Sequence, residues 1–322
     1  MAKKAGSGSR DLRSPPAQFL FYDGKAPAMQ QIQSDQVIQR LIHWAEQQAT
    51  VRAMLLTSTR TNPQATVDAL SDYDIVLVVL DIHPFFDDKR WLADFGEVLV
   101  TYWDSIYLDP DYGIEKVGSV IQYADGLKID FTLWPVELMR RIAQAPTLPA
   151  DLDVGYAILL DKDNLTAGIQ APTYTVYIPK PPTEAVYLRV VEDFFSDVPY
   201  VAKCLWRDEL LPVKWCLDYD MKHLFLRPML EWRMELDYNW SAATGNLGKG
   251  LKKRLPPKLW SELERTYAGA AIEANWEALF ATLALFRQLA QEVAQALGYT
   301  YPLEMDQKVT LYAEQIRAMG QH

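Results

Sequence analysis

The hydrophobic rhythm of this chain changes once, and that change limits its fold. Up to about Pro146, short apolar runs alternate with turns; beyond about Pro181, apolar residues recur at helical spacing over long stretches. Such a chain is neither a uniform bundle nor an all-β sandwich. It calls for an α+β N-terminal domain, a mixed β-sheet flanked by helices, followed by an all-α helical bundle. At 322 residues there is enough chain for two cores. The expected divisions are a flexible tail over 1–30, a sheet domain over 31–150, a Pro- and Asp-rich connection over 151–182, and a helical domain over 183–322.

Local signals place the elements. Asp35 or Ser34 can cap a first helix, in which Val37, Ile38, Leu41, Ile42 and Ala45 share a face. RAMLLTS reads as a short buried strand that ends in the turn TRTNP. DYDIVLVVLD reads as a central strand, apolar on both faces after its opening acids. FGEVLVTYWDSIY contains another strand. SVIQYADGLKIDFTLWP is a hairpin that turns at Ala124-Asp125-Gly126. Five helices are expected in the second half: Thr183 to Leu210, Pro212 to Leu236, Pro257 to Gly269, Glu273 to Leu297 with a Gly298 stop, and Asp306 to Met319.

Three pieces carry chemistry together. Thr57-Ser58-Thr59-Arg60 is a hydroxyl-bearing turn after a strand. Asp72-Tyr73-Asp74 opens the next strand, with 12 residues between Thr59 and Asp72. Asp130 lies within the later strand Lys128-Ile129-Asp130-Phe131. Residues two apart on a strand point the same way, so Asp72 and Asp74 place two carboxylates side by side. Bare, that pair repels. A hard divalent cation such as Mg²⁺ resolves the conflict by taking carboxylate and phosphate oxygens together. With Asp130 on a neighbouring strand and the same face, the set suits metal-assisted displacement at phosphorus.

Bulk properties narrow the partners. The formal net charge is -10, which disfavours nucleic acid as a partner and favours encounter with a small polycation. No run approaches a membrane span or a signal peptide, so the expected compartment is the cytoplasm. Cys204 and Cys216 fall in apolar helical sequence and read as buried free thiols, not a disulfide framework. His43, His83, His223 and His322 show no metal spacing.

Turn, Asp-x-Asp and third Asp, in that order, resemble the nucleotidyltransferase fold. The stretches TSTRTNP, SDYDIVLVVLDI, WLADFGEVL, GLKIDFTLWP, VAKCLWRDELLPVKW, TGNLGKGLKKRL and YPLEMDQKVTLY resemble the aminoglycoside 6-adenylyltransferases, also called streptomycin adenylyltransferases. The resemblance runs from Asp35 to the C-terminus. It implies transfer of AMP from ATP to an aminoglycoside hydroxyl, with Mg²⁺ and release of pyrophosphate. It makes Asp72, Asp74 and Asp130 metal ligands and catalytic residues. Ser58, Thr59 and Arg60, with Lys203 and Lys249, would contact the nucleotide. Trp206, Asp208 and Glu209 are candidates for gripping the cationic acceptor. One departure stands out. The family carries Gly-Ser where this chain has Ser58-Thr59, and a side chain at Ser58 is strained if the backbone there needs a positive φ. Two other readings accommodate the same residues: a nucleotidyltransferase acting on another hydroxylated amine or a protein, or an impaired relative that only binds nucleotide or drug.

Overall fold

A computed structural model describes residues 35–320. The expected 1–30 tail and His322 lie outside the described residues. The chain forms two compact units that divide between Val176 and Tyr177.

The first unit is built on a seven-stranded sheet of order β3-β5-β6-β2-β1-β7, with a short β4 paired to β5. The strands are β1 (Val51–Thr57), β2 (Tyr73–Val79), β3 (Val98–Trp103), β4 (Tyr107–Leu108), β5 (Glu115–Tyr123), β6 (Lys128–Pro135) and β7 (Tyr156–Asp161). β2 and β6 run parallel, and the other pairings are antiparallel. The sheet is therefore mixed.

Strand parity sorts the side chains into two cores. Ile75, Leu77 and Val79 of β2 join Ile129, Phe131 and Leu133 of β6 on one face, under Ile38, Leu41 and Trp44 of helix α1 (Gln36–Gln47). Val76 and Val78 face the opposite side with Trp134, under Leu138, Met139 and Ile142 of α2 (Val136–Gln144). This double burial explains why β1 and β2 read as continuous apolar runs. Asp35 caps α1 through Oδ1 to the Val37 and Ile38 N–H groups, a contact of about 1 kcal/mol for caps of this kind.

The expected hairpin forms between β5 and β6, with Val120 opposite Asp130. One boundary differs from the sequence reading. The 151–182 connection contains β7, which pairs with β1 from Ala53↔Asp161 to Thr57↔Tyr156. The apolar run YAILLD completes the sheet edge because it finds a partner about a hundred residues earlier in the chain.

The second unit is helical. Its long elements are α3 (Glu184–Trp206), α4 (Arg227–Tyr238), α5 (Pro257–Arg265), α6 (Ile272–Leu297) and α7 (Leu303–Ala318). Thr183 caps α3, and Gly298 ends α6 in the left-handed conformation at φ 75°. Phe194, Phe195 and Phe286 lie at the centre of this core, with Phe194 stacked on Phe286 at 3.6 Å between ring centroids. The helix expected from Pro212 to Leu236 has three parts, Leu210–Lys214, a π-helical stretch Trp215–Leu226, and α4. Among the described residues no helix is long and apolar enough to cross a membrane.

Candidate active site

The acidic residues gather where β2 and β6 begin. In the parallel pairing Asp74 stands directly opposite Asp130. Their neighbours Tyr73 and Ile129 go to the α1 core, so both aspartates face the other side, along with Lys128. Asp72 lies just before β2, and its Oδ2 reaches the Lys128 ammonium at 2.5 Å. The same ammonium is 2.8 Å from Asp130 Oδ2. Asp130 therefore points toward the Asp72 side of the sheet and not away from it.

The electrostatics match the crowding. Burial, and then the charges of Asp130 and Asp72, push the Asp74 carboxyl up to about 6; Lys128 and a hydrogen bond with Ser58 oppose the rise. Burial also raises the Asp130 carboxyl against the pull of Lys128. Asp130 Oδ1 is buried and has no hydrogen-bond partner. Hard oxygen donors, one of them orphaned, fit a divalent cation such as Mg²⁺. The side-chain positions do not yet form a one-ion cage. Among the described residues, the group whose ligand atoms all lie within 4.8 Å of one another is Asp197, Cys216 and Asp220 in the helical unit. There burial and the neighbouring Asp197 and Asp220 charges raise the Cys216 thiol, which is hydrogen-bonded to Asp197.

The turn after β1 is fixed from both sides. Ser58 N–H donates to Gly155 O at 3.1 Å, and Ser58 O accepts from the Thr61 and Asn62 N–H groups and the Thr61 hydroxyl. These bonds hold Ser58 at φ 65°, the left-handed region that favours glycine. The conditional strain read from the sequence is therefore present, at about 1–2 kcal/mol for a residue with a Cβ. Gly155 lies so close that a Cβ there would come within 3.0 Å of Thr61 O. Thr59 follows within the same turn.

Arg60 has a use the sequence did not suggest. Its Nε donates to Asp72 O at 2.9 Å and its Nη2 to Ser71 O at 2.8 Å. Its guanidinium lies 3.7 Å from the Tyr73 ring centroid, and the Tyr73 hydroxyl donates to Asp35. The guanidinium thus sets the backbone that presents Asp72. Lys128 is the charged neighbour of these carboxylates that sequence reasoning missed, although its position two before Asp130 on a strand puts it on the same face.

The remaining candidates belong to the second unit. Lys203 is exposed near the end of α3, 6.0 Å from the Tyr312 ring centroid. Trp206 packs against the helical core and donates to Gly320 O. Asp208 and Glu209 are exposed just beyond α3, with Asp208 at φ 61°. Lys249 is exposed in the glycine-bearing loop before Leu251. The structure thus gathers Ser58, Thr59, Arg60, Asp72, Asp74 and Asp130 in one unit, and Lys203, Trp206, Asp208 and Glu209 at one helix end of the other.

A family model described as streptomycin adenylyltransferase matches residues 32–316. The chain belongs to the streptomycin adenylyltransferase family. It is a nucleotidyltransferase, with the α+β fold and helical second unit expected from its sequence. An aminoglycoside 6-adenylyltransferase of Campylobacter jejuni is 31% identical over 84% of this chain and 91% of its own length. One from Bacillus subtilis is 30% identical over 83% of this chain and 91% of its own. A crystal structure of an aminoglycoside 6-adenyltransferase from Bacillus subtilis aligns over 87% of this chain and 97% of its own at TM-score 0.40, with 26% identity. Ser58 thus adopts the tight turn at positive φ without being the residue best suited to it.

Proposed function

We propose that this adenylyltransferase moves AMP from ATP to a hydroxyl of a cationic aminoglycoside of the streptomycin type and releases pyrophosphate. The observation that carries the reading is the register of Asp74 against Asp130 on parallel strands, with Asp72 brought to the same side by Lys128. Asp72, Asp74 and Asp130 would hold Mg²⁺, which supplies neutralising charge for the triphosphate and the developing pyrophosphate.

The chain's own residues do the rest. The Ser58-Thr59 turn offers hydroxyls and a pinned backbone toward phosphate, and Arg60 keeps Asp72 in place. The acceptor oxygen bonds to the α-phosphorus while the bond from that phosphorus to its bridging oxygen breaks. The acceptor's proton passes to a carboxylate, and Asp130 is assigned that role beside its part in holding the metal. Lys203 and Lys249 are assigned to nucleotide phosphates, and Trp206, Asp208 and Glu209 to the acceptor's cationic groups. The acidic balance of the chain attracts such an acceptor, and dependence on ATP fits the cytoplasm.

Incubating purified protein with ATP, Mg²⁺ and an aminoglycoside panel tests this by product mass and pyrophosphate release. A mass gain of one adenylyl group on streptomycin is expected. Transfer only to a different acceptor would assign another substrate. ATP binding without pyrophosphate would identify an impaired relative, for which the strain at Ser58 is the structural motive.

A further inference from the structure

Among the described residues, Lys128 is the cation that joins Asp72 to Asp130, through Nζ contacts of 2.5 and 2.8 Å to one oxygen of each. These are two of the three carboxylates assigned above to the metal. The other oxygen of Asp130 is buried and unpartnered. A divalent ion that takes the oxygens facing Lys128 competes with the ammonium for them, and one that takes the free Asp130 oxygen sits a few ångströms from that ammonium. Their mutual repulsion a few ångströms apart weakens metal binding by about tenfold or more, even with water-like screening.

We propose that Lys128 is a resident counter-ion that keeps bare divalent metal off Asp72 and Asp130, so that metal binding depends on nucleotide. This rests on the metal-dependent reading above. A lone divalent ion that displaces the ammonium leaves it without a partner in a half-buried site. A triphosphate arriving with the ion supplies anionic oxygens that the ammonium can take in exchange. The side chain suits that exchange, since it is a compact charge on a flexible four-carbon stem. Lys128 is thus a positioning residue. It holds two like charges together before substrate arrives, then releases them when a phosphate replaces them.

The test counts free Mn²⁺ by its paramagnetic resonance at fixed pH, with and without an ATP analogue bridged by methylene between its α- and β-phosphates, after subtracting the Mn²⁺ that the analogue holds in a protein-free titration. The wild-type chain should bind Mn²⁺ weakly alone and at least about tenfold more tightly with the analogue. Lys128→Met should tighten binding of Mn²⁺ alone by about tenfold and shrink the effect of the analogue. Lys128→Arg, which keeps the cation, should stay near wild type. Lys128→Gln serves if the methionine variant does not fold. Wild-type Mn²⁺ binding with equal or weaker binding in the folded Met and Gln variants overturns the role of Lys128 and leaves the metal reading intact. Absence of Mn²⁺ binding in every variant, with and without the analogue, overturns both.

Discussion

Asp74→Asn should make the metal-free protein more stable while abolishing transfer. The carboxyl of Asp74 is raised from 3.8 to about 6 by burial and by two neighbouring carboxylates. For an acid, a raised folded pKa means that the folded state favours the proton. The contribution of Asp74 to stability therefore falls as pH rises from about 4 to 6 and is flat above that. A rise of that size corresponds to a ceiling of about 3 kcal/mol. Asp74 is only partly buried, so solvent screening brings the expected gain to roughly 1–2 kcal/mol. Asparagine removes this penalty and can keep the contact with Ser58. Thermal unfolding in a chelator should show a midpoint roughly 3–6 °C higher for the variant at pH 7.5, with the gain vanishing toward pH 4. A variant no more stable than wild type at pH 7.5, or a gain undiminished at pH 4, would refute this account of the acidic cluster.

Two further substitutions probe the turn. Ser58→Gly relieves about 1–2 kcal/mol of left-handed strain but frees an unfolded-state glycine and loses the contact with Asp74. Its melting point should stay within a few degrees of wild type, and kcat/KM for ATP should be maintained or raised; a large loss of kcat/KM would give the Ser58 hydroxyl a direct role. Gly155→Ala places a Cβ within 3.0 Å of Thr61 at φ +122° and disturbs the carbonyl that receives Ser58 N–H. It should cost about 2–3 kcal/mol in urea unfolding and raise the KM for ATP; wild-type stability would show that the turn can yield.

Much of this arrangement is legible in the sequence because it is local. The cap at Asp35, the turn at Ala124-Asp125-Gly126 and the stop at Gly298 are short-range signals, and the structure contains each. β7 is not legible, because YAILLD lies among turn-forming residues and becomes a strand only by pairing with β1. The π-helical stretch escapes for a different reason. Cys216, Met221 and Leu226 are all buried and five apart, a spacing that a search for 3.6-residue periodicity passes over. At the site, Asp72, Asp74 and Asp130 follow from strand parity. The same parity applied to Lys128 would have shown a cation among them. The work of Arg60 is set by the path of the Ser71-Asp72 backbone, which no local pattern specifies.

The side-by-side descent of β2 and β6 has a consequence for how this gene can vary. Removing or adding one residue early in β6 would turn the carboxylate at position 130 to the opposite face and seat an apolar neighbour in its place. Such an indel would silence the protein with its helical half intact. Length changes in the exposed stretch 63–70, between the turn and Asp72, leave the alignment of these two strands untouched. Natural insertions and deletions should therefore collect in that segment and spare the hairpin, a bias that a deletion scan scored by antibiotic survival would expose.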